Sequence, residues 1–333
     1  AMTMRRRRVA LPLAWLASPF AKGLASVLGA LAAPAQATDP ATAGDRTARR
    51  LRLASPVTSA TGSLALADPA RPVGVASGAA DLVPCASGPM CLQRLAEGKA
   101  DLALVGDTAI VLAAHAGQPL EVLATVSTAR LPGLLARGDR GYLRPDKLPG
   151  ARVGYIHGTS GHYFTDLFLT FHRLTDQVRR IPLDPSRAAQ ALAAGEVDAA
   201  GLLDPWRQQA QALLGERLVV LTASLGYTAT VNLVARPGQP PQDLLPVMRG
   251  LQQAVAALNT AGAAEPADTR SGYRHGLRLD QSLLNLLEAQ SRWAQREGLV
   301  PDGAPPDFLQ LMRPQVLAQI DPTRVTLVAP GVR

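Results

Sequence analysis

The sequence has 333 residues, 47% of them hydrophobic and 18% charged, a balance suited to a globular chain with core enough for two lobes. Its formal charge of +8 is not a nucleic-acid signature, because Arg5 to Arg8 and Lys22 supply five positive charges, the first 37 residues hold no acid, and only +3 is left for the remainder. That residual charge favours, at most, a small anionic partner.

The chain opens on an export-signal pattern. Arg5 to Arg8 form a positive region, an alanine- and leucine-rich stretch runs to about Ala33, and "AQA" at Ala35 to Ala37 is a small-x-small cleavage site ahead of Thr38. Pro12, Pro19, Lys22 and Pro34 interrupt the apolar run, which argues against a membrane anchor. Residues 1–37 are therefore read as a signal peptide and 38–50 as a flexible leader, and the mature protein is expected outside the cytoplasm. In an oxidising compartment Cys85 and Cys91 form either a disulfide or two buried thiols. No second cysteine or histidine pair has zinc-site spacing.

From Leu51 onward, short apolar strands alternate with helical patterns, which predicts an α/β fold with mostly parallel pairing. Strands are expected at 51–54, 73–75, 102–105, 120–126, 133–136, 152–156, 199–203, 218–221 and 231–235. Helices are expected at 90–97, 109–114, 161–171, 186–193, 205–213, 244–257, 281–297 and 306–311. The proline- and glycine-rich segments 138–150 and 236–242 read as connections that bracket a middle block.

An internal echo runs through this pattern. "LAEGKADLALVGD", Leu95 to Asp107, aligns without a gap on "LAAGEVDAAGLLD", Leu192 to Asp204. Each copy is a helix end, a glycine suited to a left-handed cap (Gly98, Gly195), an aspartate, a short apolar strand and a second aspartate. A repeat at so long an offset favours two similar lobes over a solenoid. Since ligands of open α/β sheets bind beyond the carboxyl ends of strands, Asp107 and Asp204 are expected at the rims of a shared cleft, and both also suit capping of the helix that follows.

The stretch "GYIHGTSGHYF", Gly154 to Phe164, supplies the chemistry for such a cleft. A strand ends, and a helix carrying Tyr163, Phe164, Leu167, Phe168 and Phe171 begins, with Thr159 or Ser160 as N-cap. A helix start offers unpaired N–H groups and a partial positive charge, which suit a carboxylate, sulfonate or phosphate. Gly158 and Gly161 permit close approach. "ASGPM", with Ser87 and Gly88, sets up a second such start ahead of the first echo copy, so that two lobes could grip one anion.

"CASGPMCLQRLAEGKADLALVGDTA", "LPGARVGYIHGTSGHYFTDLF" and "ALAAGEVDAAGLLDPW" resemble strings of the periplasmic substrate-binding proteins of ABC importers for alkanesulfonates, taurine and nitrate-like anions, over about Leu51 to Val328. The resemblance implies the type II periplasmic-binding fold, two α/β lobes joined by a two-strand hinge. It divides the chain into a first lobe (51–137), a connection (138–147), a second lobe (148–229) and a return to the first lobe (230–333), with the hinge near 134–137 and 230–234. It implies a ligand shell of Ser87, Gly88, Asp107, Thr108, Thr159, Ser160, Gly161, Asp204 and Trp206, with further contacts expected from Ser55, Thr58 and His157. No cofactor and no metal are implied. The expected partners are a small solute and an inner-membrane permease, not nucleic acid, and the chain is expected to be monomeric and periplasmic.

Two departures bear on the ligand. The segment after the first strand, "PVTSATGSLALADPARPVG", is shorter and poorer in aromatics than in such proteins, and the corner reads "LLDPW" where an aromatic would precede the acid. Asp107 and Asp204, if unpaired, would repel a simple anion and favour a zwitterion or a hydroxylated solute. The alternatives are an enzyme on the same fold, with His157 and His162 as base candidates and Asp204 across the cleft, acting on a small pyrimidine or carboxylate compound, and a periplasmic ligand sensor. No nucleophile pairs with those histidines in sequence, and His162 is expected as a solvated first-turn residue.

Overall fold

The computed structural model describes residues 50–56, 80–223, 225–264 and 273–328, all within the compact unit Thr47–Arg333. The signal-peptide and leader readings, the strand expected at 73–75 and Thr58 lie outside the described residues.

The chain runs β1 (Leu51–Pro56), β2 (Ala80–Cys85), α1 (Gly88–Ala96), β3 (Leu102–Gly106), α2 (Asp107–His115), β4 (Glu121–Arg130), β5 (Gly133–Arg137), β6 (Arg152–Tyr155), α3 (Ser160–Phe171), β7 (Arg179–Pro182), α4 (Ala188–Ala194), β8 (Ala199–Gly201), α5 (Trp206–Leu214), β9 (Leu218–Thr222), β10 (Thr228–Ala235), α6 (Pro241–Ala264), β11 (Tyr273–Asp280), α7 (Gln281–Arg296), α8 (Pro314–Ala318) and β12 (Val325–Thr326). These strands form two sheets, one in the order β12-β11-β4-β10-β3-β1-β2 and the other in the order β7-β6-β8-β5-β9.

The expected α/β class holds, but not the mostly parallel pairing. β1 pairs in parallel with β2 and β3, and β6 with β7 and β8. β10, however, runs antiparallel between β3 and β4, and β5 antiparallel between β8 and β9. The chain passes from one sheet to the other between β4 and β5 and returns between β9 and β10, and each crossing strand enters against the direction of its new neighbours. The expected hinge segments thus lie inside sheets: 134–137 runs within the five-stranded sheet and 230–234 within the seven-stranded one.

Three local differences have plain causes. The helix expected at 306–311 is a set of turns, because Asp307 accepts the N–H groups of Leu309 (3.0 Å) and Gln310 (3.4 Å) with its side chain and prolines flank the segment. β2 escapes an apolar-run search because it is an edge strand with a mixed burial pattern and Pro84 in its line. β11 alternates buried Leu277 and Leu279 with arginines, so its pattern is half polar.

Each sheet carries the same internal brace, and here the echo becomes physical. In the first, Asp101 accepts Arg52 N, Nε and Nη2, each at 3.0 Å, and Arg52 Nη2 also donates to Gly98 O at 2.7 Å. In the second, Asp198 accepts Arg152 N (2.9 Å), Nε (3.0 Å) and Nη2 (2.8 Å), and Arg152 Nη2 donates to Gly195 O at 2.8 Å. The aspartate is buried in both, so the fork-to-carboxylate geometry satisfies a charge removed from water, while the arginine also ties β1 to the end of α1 in one sheet and β6 to the end of α4 in the other. Burial alone would raise the Asp198 carboxyl, but the Arg152 hydrogen bonds outweigh it and hold the group below its ordinary range.

The sheets are joined by an aromatic seam. Trp293 of α7 meets Tyr163 and His162 of α3 edge-on at 5.0 and 5.1 Å, and Tyr163 meets Tyr227 edge-on at 5.1 Å. Trp293 Nε1 donates to the buried Asp166 at 3.2 Å, and Arg180 Nη1 bridges Asp166 (3.2 Å) and Glu297 (2.7 Å). Among the described residues no helix is long and apolar enough to cross a membrane.

Candidate ligand-binding site

Two helix starts, one from each sheet system, face one cavity. α1 begins after Ser87, which adopts an extended N-cap conformation with no side-chain cap bond, and α3 begins after Thr159, whose Oγ1 accepts His162 N at 3.4 Å and donates to Ile156 O at 2.7 Å. The cavity holds about 90 Å³, and Ser87, Gly88, Thr159, Ser160, Asp204 and Trp206 line it. Apolar groups complete the wall, among them Leu104, Val105, Ala109, Leu203 and Val231. The Ser87 side chain is 4% exposed and has no hydrogen-bond partner among the described residues, so its hydroxyl is available to a solute. His162 N is taken by Thr159 and Pro89 has no N–H, so the donors and positive field of the two starts come from the backbone N–H groups of Gly88 and Met90 in α1 and of Ser160 and Gly161 in α3.

Cys85 and Cys91 are joined in a disulfide with Cα atoms 5.4 Å apart. Because the bridge encloses Ser87, Gly88 and Pro89, all of which line the cavity, it pins that corner to the end of β2 and the first turn of α1.

Asp107 has another task. It is fully buried and does not line the cavity. Its Oδ1 accepts Thr108 N (2.8 Å), Ser160 Oγ (2.7 Å) and Tyr227 OH (3.0 Å), and its Oδ2 accepts Thr230 N (2.8 Å) and Thr230 Oγ1 (3.3 Å). The bond from Ser160 joins the start of α3 to the start of α2, so the hydroxyl of Ser160 is spent on holding the two halves together. Gly106 makes room for it: a Cβ there would lie 2.8 Å from Ser160 Oγ. Burial, followed by the Asp107 charge, drives the Tyr227 hydroxyl well above its ordinary range and keeps it a donor. The Asn232 amide extends the chain, donating to Thr230 Oγ1 at 2.8 Å while its carbonyl accepts Thr125 Oγ1 at 2.8 Å.

Asp204 is partnered too, but locally. Its Oδ2 accepts Arg207 Nη2 at 3.0 Å and Gln208 Nε2 at 3.2 Å, and its Oδ1 lies 3.0 Å from Arg207 Nε as an ion pair without hydrogen-bond alignment. The expectation that both aspartates cap the next helix therefore changes. Asp204 binds side chains of α5 rather than its N–H groups, and Asp107 reaches only the adjacent Thr108 N while spending the rest of its capacity across the molecule. Neither is the free carboxylate that would repel an anion.

The other expected residues divide. Thr108 is buried, donating to Asp107 Oδ1 at 3.3 Å. Gly161 lets α3 pack on β8, since a Cβ would meet Gly201 O at 2.5 Å. Ser55 is buried and donates to Pro56 O at 3.2 Å, and it is Pro56 that lines the cavity. His157 is exposed and outside the lining. His162 is buried rather than solvated, stacked on Tyr155 at 4.2 Å, and burial, with smaller contributions from His157 and Arg180, lowers its pKa to about 3, so it stays neutral. Thr230 and Tyr273, which sequence reasoning missed, both line the cavity. Tyr273 begins the half-polar strand β11, and the sequence marks Thr230 only as part of the expected hinge.

A family profile described as NMT1/THI5 like matches residues 80–235. No curated protein matches the sequence. Among solved structures, the alkanesulfonate-binding protein SsuA from Xanthomonas axonopodis pv. citri bound to MOPS is similar at 21% identity and a TM-score of 0.63, over 80% of this chain and 98% of that one. The periplasmic aliphatic sulphonate-binding protein SsuA from Escherichia coli is similar at 21% identity and a TM-score of 0.58, over 78% and 96%. The desulfurization enzyme DszB is similar at 17% identity and a TM-score of 0.59, over 83% and 100%. At these identities the likeness is one of fold, and that fold is the type II periplasmic-binding architecture anticipated from the sequence.

Proposed function

We propose that this protein is the solute-binding component of an ABC-type importer, a periplasmic monomer that captures a small anionic or zwitterionic solute between its lobes and hands it to a membrane permease. The observation that carries the reading is the convergence of the α1 and α3 starts, from different sheets, on one cavity with the unpartnered Ser87 hydroxyl in its wall. The SsuA proteins, named for binding alkanesulfonates and aliphatic sulphonates, share the fold and support a sulfonate ligand, and the proposed class extends to taurine-like and nitrate-like solutes. The two chain crossings support closure on a hinge, and solute preference for the closed form would drive it. Micromolar affinity, about −8 kcal/mol, would suffice.

An enzyme on this fold is the second reading, favoured by the likeness to DszB. Against it, the described lining of the cavity includes no cysteine or histidine, and His162 is held neutral inside the aromatic seam. A thermal-shift screen of sulfonates, taurine, nitrate, carboxylates and pyrimidines tests the reading. Stabilisation by a small anion or zwitterion that is recovered unchanged is expected, whereas turnover of the stabilising compound would establish the enzyme, and no response to any class would remove the binding reading.

A further inference from the structure

Asp204 borders more than one cavity. A second compartment of about 300 Å³ shares Leu203, Asp204 and Tyr273 with the first and is lined in addition by Arg130 and Arg207. The two compartments differ in chemistry. The first has helix-start donors, Ser87 and apolar walls, with no arginine or lysine among its described lining residues, whereas the second counts two arginines among its described lining residues.

Arg207 is not used up by Asp204. A guanidinium carries five N–H donors, and Asp204 engages only Nε and Nη2, so the Nη1 side remains open. The carboxylate therefore orients Arg207 at the junction without exhausting it, and the arginine side chain keeps 39% of its surface. Arg130, at the end of β4, is exposed and makes no ion pair among the described residues. Tyr273 borders both compartments, and its hydroxyl likewise has no hydrogen-bond partner among the described residues.

We propose that the solute is a short bifunctional acid: one acid group sits against Ser87 and the α1 and α3 starts, an apolar spacer passes Leu203 and Tyr273, and a second acid group meets Arg207 and Arg130. The proposal rests on the solute-binding reading above and narrows its ligand class. It also gives Asp204 a definite role, as the residue that positions Arg207 rather than one that selects an amine.

The test is isothermal titration calorimetry with 1-propanesulfonate and 3-sulfopropanoate, two probes with the same sulfonate and a similar spacer that differ in the second acid. The full chain is expected to bind 3-sulfopropanoate about tenfold or more tightly than 1-propanesulfonate, as a charge-assisted contact implies. Arg207→Gln should bring that ratio close to one, and Arg130→Gln should lower it in part. Because both arginines are solvent-accessible, the two variants check each other against misfolding. A ratio near one in the unmodified protein, or a ratio that survives both substitutions, overturns the bifunctional ligand while leaving solute binding in place. Binding of neither probe, when another solute of the screen binds, also overturns it. Binding of nothing in the screen removes the solute-binding reading itself.

Discussion

The two halves of the molecule are built on one plan and differ where the plan reaches the cleft. Arg52–Asp101 and Arg152–Asp198 repeat the same bonds to the same atoms, each with a further bond to the glycine carbonyl that ends the preceding helix. Each echo copy then finishes on an aspartate, and these two diverge. Asp107 is fully buried away from the cavity and collects donors from Ser160, Tyr227 and Thr230, whereas Asp204 lines the cavity with donors from α5, the helix that follows it. The difference teaches that a repeat can preserve the scaffold while its terminal residues take opposite jobs, one fastening the lobes and one arranging a binding surface.

The sharpest way to break that contrast is to remove each terminal aspartate in turn. Asp107→Ala strands buried donors and should cost about 3 to 5 kcal/mol in chemical denaturation. Asp204→Ala, beside the partly exposed Arg207, should cost less than about 1.5 kcal/mol. Equal losses would mean that the two aspartates do the same work. The braces should behave in the opposite manner. Asp101→Asn and Asp198→Asn each remove charge-assisted bonds, with losses of about 2 kcal/mol that agree between the lobes, and a severalfold disparity in denaturation free energy would refute the shared plan.

Acid should act on the second lobe through His162 and Asp198. The folded pKa of His162, about 3, lies below its unfolded value, so its contribution is complete above pH ~6.5 and is lost as the pH falls toward 3. Asp198, also lowered on folding, keeps its contribution above the ordinary carboxylate range and loses it as the pH drops through its folded value. Unfolding free energies from urea titrations between pH 7 and 4 should therefore decline, by up to about 1.4 kcal/mol per pH unit from His162, and His162→Phe should flatten the decline. An unchanged slope in that variant would place the titrating group elsewhere. The smallest effect is expected of Gly106→Ala. Its Cβ would press on Ser160 Oγ and weaken the Asp107 contact by about 1 kcal/mol, seen as a modest loss of thermal stability, and a gain in stability would argue that the contact is slack.

How far the sequence could be read follows from the range of each interaction. The Thr159 corner, the paired glycine caps and the echo were legible because each lies within a dozen residues or repeats in register. The partners of Asp107 were not, since Tyr227 and Thr230 lie 120 and 123 residues away and only the folded chain brings them there. The antiparallel entry of β5 and β10 was hidden for a similar reason: apolar runs announce a strand but not its direction. His162 looked solvated because it sits in the first turn of α3 just after the hydroxylated Thr159 and Ser160, while one of the aromatic partners that bury it, Trp293, comes from α7. Arg207 drew no notice as one arginine of a polar helix face until the fold placed it beside Asp204.

The most direct measurement is a crystal structure of the protein soaked with 1-propanesulfonate. If the helix starts of both lobes form one site, the sulfonate will lie within hydrogen-bond distance of Ser87 Oγ and of the first-turn N–H groups of α3 at once. A sulfonate held by one start alone, or bound outside the cavity, would contradict that account.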